Sequence, residues 1–111
     1  MDIAFRRRKL EKTFNTEKAL KKEFGERMAR TIAMRMAVLK SARTLTLVPT
    51  TRPERRHQLK ADRDELYAVD LVHPFRLIFE PNQAPIPRKE DGGVDTDRVT
   101  AIRIVEVIDY H

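Results

Sequence analysis

The stretch Val99-Thr-Ala-Ile-Arg-Ile-Val-Glu-Val-Ile108 places a β-sheet at the centre of this fold. Its β-branched residues fall on both faces of the strand, which predicts a central strand that is covered on both sides. Asp109-Tyr110-His111 follow it directly. Because a sheet would hold this carboxylate, phenol and imidazole still, we expect them to carry chemistry.

Three shorter strand patterns lie upstream, over residues 56–59, 66–71 and 75–79. The acidic and basic residues between 59 and 66 are typical of a hairpin turn. Residues 81–97 combine three prolines, two adjacent glycines and several acids, which predicts a mobile surface loop.

Helical patterns fill the first half of the chain. Residues 6–14 are rich in helix formers, and residues 2–5 suit a short edge strand. Spacings of three and four predict one long helix over residues 16–40, with the stripe Leu20, Phe24, Met28, Ile32, Met36 and Leu39. Gly25 costs this helix about 1 kcal/mol relative to alanine and allows a kink or a break.

These elements predict an α+β fold: a short N-terminal strand, two helices, and a small antiparallel sheet of about four strands with the helices packed on one face. With 111 residues, of which 41% are apolar, the chain suits one domain over 1–111. No run approaches the roughly 18 apolar residues of a membrane span, and residues 1–15 lack a secretory apolar stretch. The chain has no cysteine for disulfides or thiolate zinc sites. We therefore expect a soluble, cytoplasmic protein.

Charge is strongly polarised along the chain. Residues 1–60 hold 17 Lys and Arg against 6 Asp and Glu, whereas residues 61–111 hold 6 against 11. Fifteen of the 23 cations are arginine, which binds phosphates through two parallel hydrogen bonds. A basic half of this kind suits RNA, DNA or an acidic protein.

Several segments, taken in order, resemble the RelE/ParE superfamily of type II toxins, and most closely its HigB branch of plasmid-maintenance killer proteins. Residues 24 and 25 of the helix contribute to the resemblance. The other segments are Arg56-His57-Gln-Leu59-Lys60-Ala-Asp62-Arg63, Tyr67-Ala-Val-Asp70, Pro74-Phe-Arg76-Leu-Ile-Phe79-Glu-Pro81 and Val107-Ile-Asp109-Tyr110-His111.

The resemblance implies a RelE-like fold and a ribosome-dependent messenger-RNA endoribonuclease, an mRNA interferase. Its partners would be the 70S ribosome, messenger RNA and a small helix-turn-helix antitoxin of the HigA type that neutralises it, with no membrane partner. The implied reaction needs no metal and no other cofactor. The ribose 2′-hydroxyl attacks the adjacent phosphate and leaves a 2′,3′-cyclic phosphate and a 5′-hydroxyl.

Such a reaction needs a base, an acid and cations for the crowded phosphorane. Histidine serves either proton-transfer role because its ordinary pKa is about 6.5. His57 and His111 are the candidates, and we expect His111 to be the more consequential, as acid or as base. The charge-stabilising candidates are Lys60, Arg63 and Arg76.

Tyr110 would stack on a base or donate to phosphate, and Asp109 would orient a histidine or act as a base. Each candidate also has a purely structural interpretation. Arg76 lies in an apolar run and is either functional or paired with Asp70. The other interpretations are an acid-paired strand residue for His57, a disordered terminus for His111, a core-rim tyrosine for Tyr110, a turn hydrogen bond for Asp109, and turn charges for Lys60 and Arg63. His73, which precedes a proline in a turn, is predicted to be structural.

Two other functions fit the same chain. A ParE-like toxin would bind and poison DNA gyrase without acid–base chemistry and would tolerate the loss of both histidines. A catalytically inactive relative would bind its antitoxin and cut nothing.

Overall fold

The structure, a computed structural model, describes residues 1–60 and 65–109. These residues form both helices and strands, which confirms the predicted α+β class. In chain order the elements are β1 (Asp2–Phe5), α1 (Arg8–Phe14), α2 (Glu17–Phe24), α3 (Glu26–Ser41), a 3-10 turn (Leu45–Leu47), β2 (His57–Gln58), β3 (Tyr67–Asp70), β4 (Phe75–Pro81), a second 3-10 turn (Thr96–Arg98) and β5 (Ala101–Asp109).

The strands of the described residues form one five-stranded sheet in the order β1-β5-β4-β3-β2. Neighbouring strands are antiparallel except β1, which runs parallel to β5 with Asp2 opposite Ala101. The prediction of an antiparallel sheet of about four strands is therefore wrong in strand number and in direction. The connection between β1 and β5 contains the helices and strands β2 to β4, and its length makes the parallel pairing possible, because parallel neighbours need a crossover of a dozen residues or more.

The long helix predicted over residues 16–40 is two helices. Gly25 separates them with φ 84° and ψ 163°, a conformation far from helical. Its N–H donates to the carbonyl of Lys21 at 2.9 Å and closes α2, while its own carbonyl accepts from the N–H of Ala29 at 2.9 Å and opens α3. Thr16 caps the start of α2, where its hydroxyl accepts from the N–H of Ala19 at 3.1 Å.

The main core lies between α3 and one face of the sheet. Met28, Ile32 and Leu39 of α3 are buried in it. Tyr67 and Phe79 stack on neighbouring strands with ring centroids 6.0 Å apart. The other buried strand residues of this cluster are Val69, Leu77, Ile102 and Ile104.

The opposite face of the sheet, here called the outer face, has a smaller apolar cluster, in which Leu59, Ala68, Ile78 and Val105 are buried. β5 lies inside the sheet, between β1 and β4, as predicted. The helices cover only one of its faces, however, and Glu106 and Ile108 are half-buried. The expectation of full cover on both sides is therefore wrong for the second half of β5.

The segment after β4 is held against the body of the protein, in contrast to the predicted mobile loop. Arg88 and Val94 form a β-bridge, and the side chain of Val94 is buried in the main core. The N–H of Lys89 donates to the carbonyl of Gly93 at 2.8 Å. The turn predicted between residues 59 and 66 lies largely outside the described residues. No helix in the described part of the chain is long and apolar enough to cross a membrane.

Candidate active site

Three neighbouring strands bring a polar cluster together on the outer face. β2 carries His57, β3 carries Asp70 and β4 carries Arg76. Asp70 lies directly opposite Arg76 in the register, and His57 lies opposite Ala68. Because side chains alternate along a strand, Ala68 and Asp70 share this face while their neighbours on β3 point into the core.

The ring of His57 contacts two groups. Its Nδ1 lies 2.9 Å from the backbone carbonyl oxygen of Arg55. Its Nε2 lies 3.2 Å from Nη1 of Arg76. The ring is half-buried, so it is held in place but still reaches solvent.

Asp70 anchors the cations of the cluster. Its carboxylate accepts from Nε of Arg55 at 2.6 Å and from Nη2 at 3.3 Å. Nε of Arg76 lies 3.7 Å from the same carboxylate. The hydrogen bond to Asp70, together with its charge, raises the pKa of Arg55 above its ordinary value. Arg76 is therefore both paired with Asp70 and within reach of a histidine, so the two sequence interpretations of this arginine are compatible.

The backbone of Asp70 is fixed from two other directions. Nε of Arg35, on α3, donates to its carbonyl oxygen at 2.6 Å. Its N–H donates to the carbonyl of Glu54 at 2.8 Å. Arg35 and Glu54 are both buried, and within the described residues no buried side-chain nitrogen or oxygen lacks a hydrogen-bond partner. The helix layer thus holds the strand end that carries the cluster.

Sequence reasoning missed Arg35 and Arg55. Arg35 lies on α3, and its side chain is buried. A signal was present, because residues 28, 32, 35 and 39 follow the spacing of four, three and four that defines a buried helix face. For Arg55 there was none, since a basic run between a loop and a strand gives no indication of which guanidinium turns inward.

The remaining predicted residues are placed differently. Lys60 is exposed at the end of a described segment. Asp109 lies opposite Phe75, on the helix-covered face, whereas Ile108 lies opposite Arg76. Asp109 and His57 therefore project from different faces of the sheet. Arg63, Tyr110 and His111 lie outside the described residues. His73 is exposed in the turn between β3 and β4 and is not part of the cluster.

A second charged group lies further along the outer face. The carboxylate of Glu80 contacts Arg6 at 3.0 Å and Arg103 at 2.8 Å. Two cations against one carboxylate leave this group net positive. The outer face therefore presents arginines at both ends of β4.

Three cavities lined by described residues lie away from the histidine cluster. One of about 600 Å³ opens between β1 and the three helices, with Phe5, Phe14 and Met36 in its wall. The cluster itself is a surface arrangement, which suits a polymer lying across the sheet more than an enclosed small molecule. No group of three or more His, Asp or Glu suited to a metal ion occurs within 1–60 and 65–109.

Comparisons with models of known protein families, with curated proteins and with solved structures gave no significant match. What the site can do therefore follows from its own chemistry. An imidazole next to a guanidinium pairs a proton-transfer group with a phosphate-binding group, and an aspartate orients the guanidinium.

Proposed function

We propose that this protein is the toxin of a type II toxin–antitoxin pair and that it cleaves messenger RNA on the ribosome. The contact of 3.2 Å between Nε2 of His57 and Nη1 of Arg76 is the observation that carries the proposal. Cleavage of RNA by its own 2′-hydroxyl needs a proton-transfer group within reach of a cation that binds the reacting phosphate.

Arg76 takes the phosphate in this proposal. A guanidinium donates two parallel hydrogen bonds to phosphate oxygens and favours the extra charge of the phosphorane. Asp70 holds Nε at 3.7 Å and limits the orientations of the fork before the substrate arrives. His57 performs one proton transfer beside it.

The second proton transfer is assigned to His111. Ile108 lies opposite Arg76, and β5 ends one residue later, so the strand ends beside the cluster. Tyr110 keeps its proposed role in stacking on a base or donating to phosphate. Asp109 projects from the face opposite to His57, so its proposed role is limited to His111. Lys60 and Arg63 keep theirs as further cations for the RNA backbone.

The charge distribution supports RNA as the substrate. The first 60 residues carry a net charge of +11, and their helices expose Lys22, Arg27 and Arg30. Cations on a helix surface attract nucleic acid over distances of about 10 Å at moderate salt. The dependence on the ribosome rests on the resemblance to RelE/ParE toxins alone.

The test is primer extension on a defined messenger RNA that is incubated with the purified protein, with and without programmed ribosomes. Cuts within codons that appear only with ribosomes are expected. His57→Gln should slow cleavage by about 10²- to 10⁴-fold, because it removes an acid–base group. Arg76→Gln should slow it by about 10²- to 10³-fold, because it removes a cation from the phosphorane. The matched controls are His73→Gln and Arg43→Gln, both at exposed positions, and they should cut at the wild-type rate.

Other outcomes would assign other functions. Absence of cuts together with gyrase-trapped DNA breaks on induction would favour the ParE-like alternative. Harmless accumulation of soluble protein would favour the catalytically inactive relative.

We also propose that a small antitoxin of the HigA type covers part of the basic surface. Coexpression with the neighbouring gene product is expected to yield a stable complex that cuts nothing. Failure of the two chains to copurify would contradict this part of the proposal.

A further inference from the structure

We infer that Arg55 is a positioning residue that holds the imidazole of His57 with its proton on Nδ1 and its lone pair on Nε2, so that His57 is the base of the reaction. The role as base rests on the proposed function. The position of the proton does not, because it follows from contacts within the folded chain.

The partners of the ring decide where its proton lies. Nδ1 faces the carbonyl oxygen of Arg55 at 2.9 Å, and a carbonyl only accepts hydrogen bonds. Nε2 faces Nη1 of Arg76 at 3.2 Å, and a guanidinium only donates. Both contacts are hydrogen bonds only when Nδ1 carries the proton and Nε2 carries the lone pair. The bond made by one ring nitrogen thus assigns the state of the other.

Arg55 can aim its carbonyl because its backbone is left-handed. Its φ of 49° lies in a region that residues other than glycine seldom occupy. Such a conformation persists where surrounding contacts hold it. Here the N–H of Arg55 donates to the carbonyl of Thr51 at 2.8 Å, and its guanidinium binds both oxygens of Asp70.

Asp70 extends the effect of Arg55 to the second catalytic group. The same carboxylate that binds Arg55 lies 3.7 Å from Nε of Arg76. One side chain therefore acts on both partners of the contact between His57 and Arg76. Loss of the Arg55 guanidinium should loosen the carbonyl that orients the ring and the carboxylate that orients the fork.

The tautomer specifies the proton transfer. When the Arg76 guanidinium binds a phosphate, its hydrogen bond to Nε2 of His57 breaks. The Nε2 lone pair can then accept the proton of the 2′-hydroxyl. The 2′-oxygen then bonds to phosphorus, and the bond from phosphorus to the 5′-oxygen breaks. The general acid, a role that the proposed function gives to His111, donates a proton to that oxygen, and base and acid later exchange protons with water.

The first experiment reads the tautomer without any reaction. Long-range ¹H–¹⁵N correlation spectra of the full-length, ¹⁵N-labelled protein distinguish the two ring nitrogens of each histidine, and His57→Gln identifies the signals of His57. The wild type should show a protonated Nδ1 and a bare Nε2. Arg55→Gln should shift the ring toward the opposite tautomer, whereas the exposed control Arg43→Gln should not.

Arg55→Gly is a second variant, and it should disturb folding less than Arg55→Gln. Glycine accepts a φ of 49° without strain, so this variant removes the guanidinium that anchors the turn to Asp70 and adds no steric penalty of its own. It should change the tautomer as Arg55→Gln does. A wild-type ring protonated on Nε2, or Arg55 variants with the wild-type tautomer, would overturn the inference.

The second experiment separates the base from the acid. A messenger RNA with a bridging sulfur in place of the 5′-oxygen at the cleavage site has a leaving group that needs no acid. On programmed ribosomes this substrate should restore cleavage by His111→Gln and leave His57→Gln slow. The reverse pattern would overturn the assignment of His57 as the base.

The two proposals fail in different ways. A protein with the expected tautomer that cuts no RNA would refute the endoribonuclease and would leave Arg55 as the residue that fixes the ring. A protein that cuts RNA with the opposite tautomer would refute the role of Arg55 and leave the endoribonuclease standing.

Discussion

Replacement of Gly25 by alanine tests whether the chain breaks between α2 and α3. In a continuous helix over residues 16–40, this change would stabilise the protein by about 1 kcal/mol, because alanine is the better helix former. In the structure, Gly25 has φ 84° and ψ 163°, a region that is essentially restricted to glycine. The same substitution should then destabilise the protein. A continuous helix and a break at Gly25 therefore predict changes of opposite sign in the free energy of unfolding.

The size of the effect follows from the backbone alone. A Cβ built on Gly25 meets no heavy atom within 4 Å, so steric overlap adds nothing. Holding an L-residue in such a conformation costs about 1–3 kcal/mol. Relief of that strain would disturb the bonds from Gly25 to Lys21 and to Ala29 that end one helix and begin the next. We expect the free energy of unfolding to fall by about 1–3 kcal/mol, which corresponds to a Tm lower by roughly 4–12 °C in a domain of this size.

Urea and thermal unfolding, followed by circular dichroism, measure this change. Ala33→Gly is the matched control, because Ala33 is exposed within α3 and should lose about 1 kcal/mol through helix propensity alone. A Gly25→Ala variant that is more stable than the wild type would refute the break between the two helices.

Two further predictions concern the cap of α2 and the hub of the cluster. Thr16→Ala should lower the free energy of unfolding by about 1 kcal/mol in urea titrations, because the N–H of Ala19 loses its side-chain acceptor; an unchanged midpoint would show that the cap contributes nothing. Asp70→Asn should slow ribosome-dependent cleavage by about 10²-fold, since misplacement of reacting groups by about 1 Å has effects of that size. Asp97→Asn, at an exposed turn position, is its control and should cut normally, and equal rates for both variants would contradict the role given to Asp70.

Strand positions were predictable from the sequence because burial of one face leaves a visible alternation. The patterns over residues 66–71 and 75–79 correspond to β3 and β4 within a few residues. This alternation does not predict which strands become neighbours in the sheet. Pairing of β1 with β5 depends on contacts a hundred residues apart in the chain, and no local propensity records them.

The sequence shows a glycine at position 25, but it does not show whether the helix continues, kinks or ends there. Gly25 in an apolar stripe allows a continuous helix, a kink or a break, and the apolar spacing continues through it. The choice depends on whether tertiary packing repays the loss of helical hydrogen bonds. Here α2 ends and α3 begins at Gly25, whose N–H and carbonyl both make backbone hydrogen bonds, so the break leaves these two groups satisfied.

The candidate site was predictable as a set of residue types and not as an arrangement. His57 and Arg76 stood out in the sequence because their chemistry suits RNA cleavage. Their orientation depends on the left-handed turn at Arg55 and on the buried bond from Arg35 to the backbone of Asp70. A positive φ at an arginine has no sequence signature, since arginine shows no preference for that conformation.

The pairing register links the stability of the core to the geometry of the site. Tyr67 and Val69 are buried on the helix side of β3, so the small side chain of Ala68 and the carboxylate of Asp70 must lie on the outer face. A methyl group at position 68 leaves room across β3 for His57 on one side to reach Arg76 on the other. A slip of one residue in β3 would exchange these faces and expose two large apolar side chains. Because their burial is worth about 1.5–3 kcal/mol each, the apolar core opposes the slip that would separate His57 from Arg76.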